Sequence, residues 1–216
     1  SENVTIAFDK SKIIRKKNKH SKIKVLIASH CLDDAPHVYG NFLFNDIYEW
    51  LEYLFKISKK TNYEWYVKIH PQNYKKDYNL MRDLIKKYPS IKIIKEKTSM
   101  NQIINSGITH ALSIYGSVGY ELPYHGIPVI FANPQYNPFN NFSFNINCKN
   151  KKEYENKIMN LKKLKINFNR REIYIYSFMR FLYIFNSFFE NYYPKSKIYG
   201  QKLFTPEIFD QWFKTL

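Results

Sequence analysis

A few side chains in this sequence have the types and spacing to hold a phosphorylated ligand. Ser117 and Glu121 lie four residues apart in YGSVGYELP, so on a helix that begins at Ser117 they share a face one turn apart. A hydroxyl at that position either caps the helix or meets a phosphate oxygen. A carboxylate one turn on can accept hydrogen bonds from the two hydroxyls of a ribose. Gly116, after Tyr115 at the same turn, lets the backbone bend and come close to a ligand. The first N–H groups of such a helix are unpaired and favour an anion. VKIHP places Lys68 and His70 two apart at a strand exit, on one face. An imidazole there donates a hydrogen bond and can be cationic near neutrality, which suits a phosphate. SHCLDDAPHVYGN crowds His30, Asp33, Asp34 and His37 together. His30 or Asp34 can serve as general acid or base. The spacing matches no common zinc pattern, so no metal is expected. The plain alternatives are that Ser117 only caps, that Glu121 is a surface residue, that the aspartates form turns and caps, and that the histidines are structural.

Other chemistries are excluded by pattern. GxSxG is absent, which removes a nucleophile-elbow hydrolase, and GxGxxG is missing after the first strand, which disfavours a dinucleotide fold. The 216 residues carry 34 Lys+Arg against 18 Asp+Glu, a net charge of +16. That excess suits a polyanionic partner. It can equally be compositional, since Lys, Asn, Ile, Tyr and Phe are raised together, as in an AT-rich coding sequence. No zinc-finger or RNA-recognition signature is present, so nucleic acid is not an expected partner. Cys31 and Cys148 form no metal-ligand spacing, and two isolated cysteines point to a reduced cytoplasmic compartment. No run is long enough to span a bilayer. The chain opens at Ser1 without a signal-peptide pattern, and the absence of an initiator methionine leads us to expect a longer parent protein.

The elements that must position these residues alternate. Apolar runs at 24–29, 63–69, 91–95, 108–114 and 127–131 read as buried strands. Helical spacing is found at 41–60, 78–88, 100–106 and 117–126. Five strands with helices between them imply a parallel sheet covered on both faces. Ligands of such sheets bind beyond the carboxyl ends of the strands. His30, His70, Thr98 and Ser99, Gly116 and Ser117, and Asn133 all fall just after a strand. Past Asn133 a Pro/Asn-rich loop leads to a basic helix at 151–164. The aromatic stretch 171–191 reads as a helix packed on the sheet domain, with an interfacial membrane helix as the alternative. A short strand at VTIAF and a terminal helix starting at Thr205-Pro206-Glu207 complete the reading.

Taken in order, ASH, KIHP, TSMNQII and YGSVGYELPYHGIPVI resemble the carboxy-terminal, donor nucleotide-binding half of GT-B glycosyltransferases. The nearest flavour is that of the bacterial capsule and lipopolysaccharide enzymes with cytidine-nucleotide donors: Kdo transferases, polysialyltransferases and glycerophosphate polymerases. Their HP and serine motifs hold the donor phosphate, and His70-Pro71 and Ser117 match them. The same stations are similar to the second half of non-hydrolysing UDP-N-acetylglucosamine 2-epimerases. There a histidine follows the first strand and a serine–glycine turn leads to a ribose-binding glutamate, then a proline inside the helix and a GxPV strand. The matching residues are His30, Gly116-Ser117, Glu121, Pro123 and the run at 126–129. The resemblance covers about residues 24–133.

What it implies is a metal-independent glycosyltransferase with a CMP-linked sugar as the expected donor, substrate rather than cofactor. His70 and Ser117 would hold the phosphate with Lys68, Glu121 the ribose, and Thr98, Ser99 and Met100 the base. Tyr115 and Gly116 would shape the turn, while His30 and Asp34 would face the sugar as catalytic groups. The expected acceptor is an anionic glycan or glycolipid of the bacterial surface, with peripheral contact at the inner membrane face. The alternatives are a non-catalytic nucleotide-binding module and an epimerase-like isomerase. A full GT-B enzyme has an amino-terminal acceptor domain of similar size, so a missing domain or a partner chain is expected. The expected organisation is a basic arm or linker (1–22), a Rossmann-like α/β domain of about five parallel strands (23–165), and a helical extension packed on it (166–216).

Overall fold

The computed structural model describes residues 22–34, 42–70, 75–94, 98–134, 142–164 and 169–183, with backbone alone for 75–78 and 181–183. Outside them lie the expected arm (save Lys22), the VTIAF strand, His37, Pro71, the end of the aromatic stretch and the terminal helix.

The alternation becomes six parallel strands in one sheet. Along the chain run β1 (Lys24–Ala28), α1 (Ile47–Ser58), β2 (Glu64–Lys68), α2 (Lys75–Lys86), β3 (Ile91–Ile94), α3 (Met100–Asn105), β4 (His110–Ser113), α4 (Val118–Tyr124), β5 (Val129–Phe131), β6 (Asn145–Asn147), α5 (Lys151–Met159) and α6 (Arg170–Ser177). The backbone of α6 continues into a π-helical turn, Phe178–Tyr183. The strand order is β3-β2-β1-β4-β5-β6, the doubly wound Rossmann arrangement. The count is six where five were expected. β6 arises in the stretch read as loop, pairing Asn145, Ile146 and Asn147 with Val129, Ile130 and Phe131.

Each central strand feeds two cores. On one face Val25 and Ile27 of β1 join Leu112 and Ile130, under Trp50 and Leu54 of α1, Met81 and Ile85 of α2, and Tyr154 of α5. On the other face Leu26, Ala111 and Phe131 pack under Ile103 of α3, Leu122 of α4, and Ile173 and Tyr176 of α6. Strands buried on both faces must be continuously apolar, which is why KVLIA reads as it does. The indole of Trp50 is satisfied within the core: its Nε1 donates to Tyr154 Oη at 3.0 Å across the α1–α5 seam. Among the described residues no helix is long and apolar enough to cross a membrane.

Candidate functional site

The strands are added outward from β1 to one side through β3 and then to the other side from β4, so the strand order reverses between β1 and β4, where ligands of such sheets bind. His30 leaves β1 and Tyr115-Gly116-Ser117 leave β4, so the two stations flank that point.

His30 is 8% exposed. Its Nε2 stands 3.2 Å from Ser113 Oγ, and its ring lies 3.9 Å from that of Tyr115, centroid to centroid. The Ser113 hydroxyl also stands 3.0 Å from the Tyr115 carbonyl and 3.3 Å from that of Ala28. The serine has one proton for these acceptors; in the tautomer with hydrogen on Nε2, His30 donates to the serine oxygen and the serine proton goes to a carbonyl. Burial drives the His30 pKa down to about 4; Asp34 opposes this, and His70 adds to it. At neutral pH the imidazole therefore has no proton to give as an acid and is weakly basic. This geometry suits it to a neutral hydrogen-bonding role rather than to the expected acid–base role, which is best served by a pKa near the working pH. Asp34 is exposed, and its Oδ2 lies 3.9 Å from His30 Nδ1.

Gly116 is where the backbone demands glycine. Its φ is +105°, a region L side chains rarely adopt, and a Cβ there would stand 3.4 Å from His30 Cε1. The imidazole thus floors the mouth of the β4–α4 turn, while Gly116 and Ser117 remain exposed.

Ser117 makes no capping hydrogen bond and has helical angles itself. Ser117 is therefore not acting as a side-chain cap. Glu121 is half-buried, and desolvation pushes its carboxyl above the usual range, against the opposing pull of the Ser117 hydroxyl. The expected anion seat in the helix start is reduced, however. α4 has only seven residues, and the N–H groups of Gly119 and Tyr120 already bond the carbonyls of Gly116 and Ser117 at 3.1 and 3.0 Å.

Lys68 and His70 share strand parity, but their ends part. Lys68 Nζ donates to the Thr98 carbonyl at 2.8 Å, toward the β3 exit. His70 Nδ1 lies 3.1 Å from Cys31 Sγ, toward the β1 exit. Ser99 caps α3 in a capping box with Gln102. The Ser99 N–H donates to Gln102 Oε1 at 2.8 Å, and the Gln102 N–H donates to Ser99 Oγ at 3.2 Å. The N–H and hydroxyl of Ser99, a residue expected to line the base, are thus both used within the capping box. Met100 is half-buried against the α3–α4–α6 core.

Two residues were missed by reading the sequence. Cys31 touches His70. Asn145, on β6, donates from Nδ2 to the Gly119 carbonyl. Pro123 inside α4 has no N–H, and the carbonyl its N–H would have met is that of Gly119, four residues back. Asn145 supplies the missing donor. A proline inside a helix was the signal to look for one. α4 then closes in a Schellman turn: Gly126 N–H donates to Pro123 O at 2.8 Å and Ile127 N–H to Leu122 O at 3.0 Å. Gly126 takes φ +72° there.

No protein-family model matches the chain, and no curated protein matches it in sequence.

Proposed function

We propose that this chain is the donor nucleotide-binding domain of a glycosyltransferase, acting on a sugar activated by a nucleotide, with cytidine monophosphate as the preferred carrier. The observation that carries the reading is positional. Residues able to meet a phosphate and a ribose leave the two strands that flank β1, at the same end of the sheet: His70 after β2, and Ser117 with Glu121 after β4. In this reading His70 and Ser117 bind the phosphate, and Lys68 adds positive charge from the β3 side. Glu121 accepts from the ribose. The buried His30 supports the turn at Gly116. The acceptor would be an anionic surface glycan, held with the help of a second domain or partner chain.

A thermal-shift screen against CMP, CDP, UMP, UDP and their sugar conjugates tests this directly, because a ligand bound only by the folded state raises the melting temperature. CMP or a CMP-sugar should give the largest rise. His70→Ala and Ser117→Ala should each weaken binding by about 1–3 kcal/mol, the cost of losing a hydrogen bond to a charged group. Unaltered titrations in both variants would remove the site. Transfer or hydrolysis of the donor by the chain separates an enzyme from a binding module, and a uridine preference would favour the isomerase alternative.

A further inference from the structure

We propose that Cys31 is a positioning residue for His70, its thiol donating to Nδ1 and holding the imidazole in the tautomer that carries its proton on Nε2. The geometry is a 3.1 Å approach of Cys31 Sγ to His70 Nδ1. The assignment of His70 to a phosphate rests on the function proposed above.

The pairing follows from where the two residues leave the sheet. His30 and Cys31 are consecutive at the exit of β1. His30 turns to β4, meeting Ser113 and Tyr115, and Cys31 turns to β2, meeting His70. One dipeptide thus fixes both neighbouring exits. Cys31 is 7% exposed, so its sulfur is set by packing and does not wander.

The direction of the hydrogen bond follows from the ligand. A neutral imidazole has one donor and one acceptor nitrogen. If Nδ1–H donated to sulfur, Nε2 would present a lone pair to a phosphate oxygen, which is itself only an acceptor. With the thiol as donor, Nε2 carries the hydrogen and His70 binds the anion without first being protonated. The partner on one ring nitrogen sets the state of the other.

The test is a long-range ¹H–¹⁵N spectrum of the ¹⁵N-labelled chain without ligand, taken at alkaline pH, with His70 assigned by its loss in His70→Gln. The expected result is an unprotonated Nδ1 and a protonated Nε2. Cys31→Ala should shift the pair toward mixed tautomers, and Cys31→Ser, which keeps a donor, should restore the wild-type pattern. In calorimetric titration with CMP, Cys31→Ala should lose about three- to tenfold in affinity, and Cys31→Ser should recover most of it. A protonated Nδ1 in the wild type, or a Cys31→Ala spectrum identical to it, overturns the proposal. If Cys31→Ala does not fold, the wild-type and Cys31→Ser spectra still decide. If CMP fails to bind while the tautomer is as stated, the nucleotide reading falls and the positioning role of Cys31 stands.

Discussion

Asn145→Ala is expected to destabilise the chain through a helix it does not belong to. The Gly119 carbonyl cannot be met from within α4, because Pro123 has no N–H, and Asn145 Nδ2 meets it from β6. Asn145 is 7% exposed, so water does not readily replace the amide. An unsatisfied buried carbonyl costs about 1–3 kcal/mol. Asn145 Oδ1 is itself buried and, among the described residues, has no hydrogen-bond partner, so truncation also removes an orphan acceptor and pulls the net loss to about 1–2 kcal/mol. At about 2–4 °C per kcal/mol for a chain of this size, the melting temperature should fall by roughly 2–8 °C. The diagnostic is a double-mutant cycle with Pro123→Ala, read by urea denaturation. Pro123→Ala restores an N–H able to reach Gly119 O, so Asn145→Ala should cost less in that background, with a coupling of about 1 kcal/mol. Equal losses with and without the proline would refute the reasoning.

Three further outcomes follow from the same geometry. Gly116→Ala should cost about 1–2 kcal/mol in urea denaturation, because φ is +105°; the 3.4 Å contact of its Cβ with His30 is ordinary and adds little. A loss below about 0.5 kcal/mol, the scatter of neutral substitutions, would mean the turn is not held as described. Stability should fall as pH drops from about 6.5 toward 4, since the unfolded chain takes up a proton near the ordinary histidine value while the folded His30 resists until about 4. The contribution is complete above the unfolded value and reaches at most about 3 kcal/mol. His30→Gln should flatten that slope in urea midpoints at pH 7 and 4.5, and His110, also held at about 4 by burial, should keep part of it. Ser99→Ala removes the α3 capping box and should cost about 1 kcal/mol, measured the same way; no change would mean that the box contributes nothing.

The sheet was legible because buried parallel strands announce themselves as short continuous apolar runs. KVLIA and VIF are buried at nearly every position, and turn residues separate them from helical spacing. β6 was not legible: NIN offers one apolar residue between two asparagines, and an edge strand of three residues has no run to show. The positions of the candidate residues were readable in one dimension, because strand exits are. Their contacts were not. His30 meets Ser113 across 83 positions, Cys31 meets His70 across 39, and Asn145 meets Gly119 across 26. No local pattern encodes such pairs. The partial burial of Glu121 was equally hidden, since i,i+4 spacing places it on the face of Ser117 but does not say how far that face is covered.

These contacts redistribute the work expected of the glycine-rich turn. A seven-residue helix offers little dipole, and a terminus is worth only about 0.3–1 kcal/mol to a nearby charge. A hydrogen bond to a charged group is worth about 1.5–3 kcal/mol. In the proposed site the larger share of anion binding therefore falls on side chains brought from β2, with α4 serving as a rigid mount for Ser117 and Glu121. Three features hold that mount in place. The left-handed backbone at Gly116 sets the entry of the helix, Asn145 closes the gap left by Pro123, and the Schellman turn at Gly126 sets the exit. Such a mount tolerates a proline inside the helix because the missing N–H is supplied from β6. The same substitution in a helix without that donor would leave a buried carbonyl unmet.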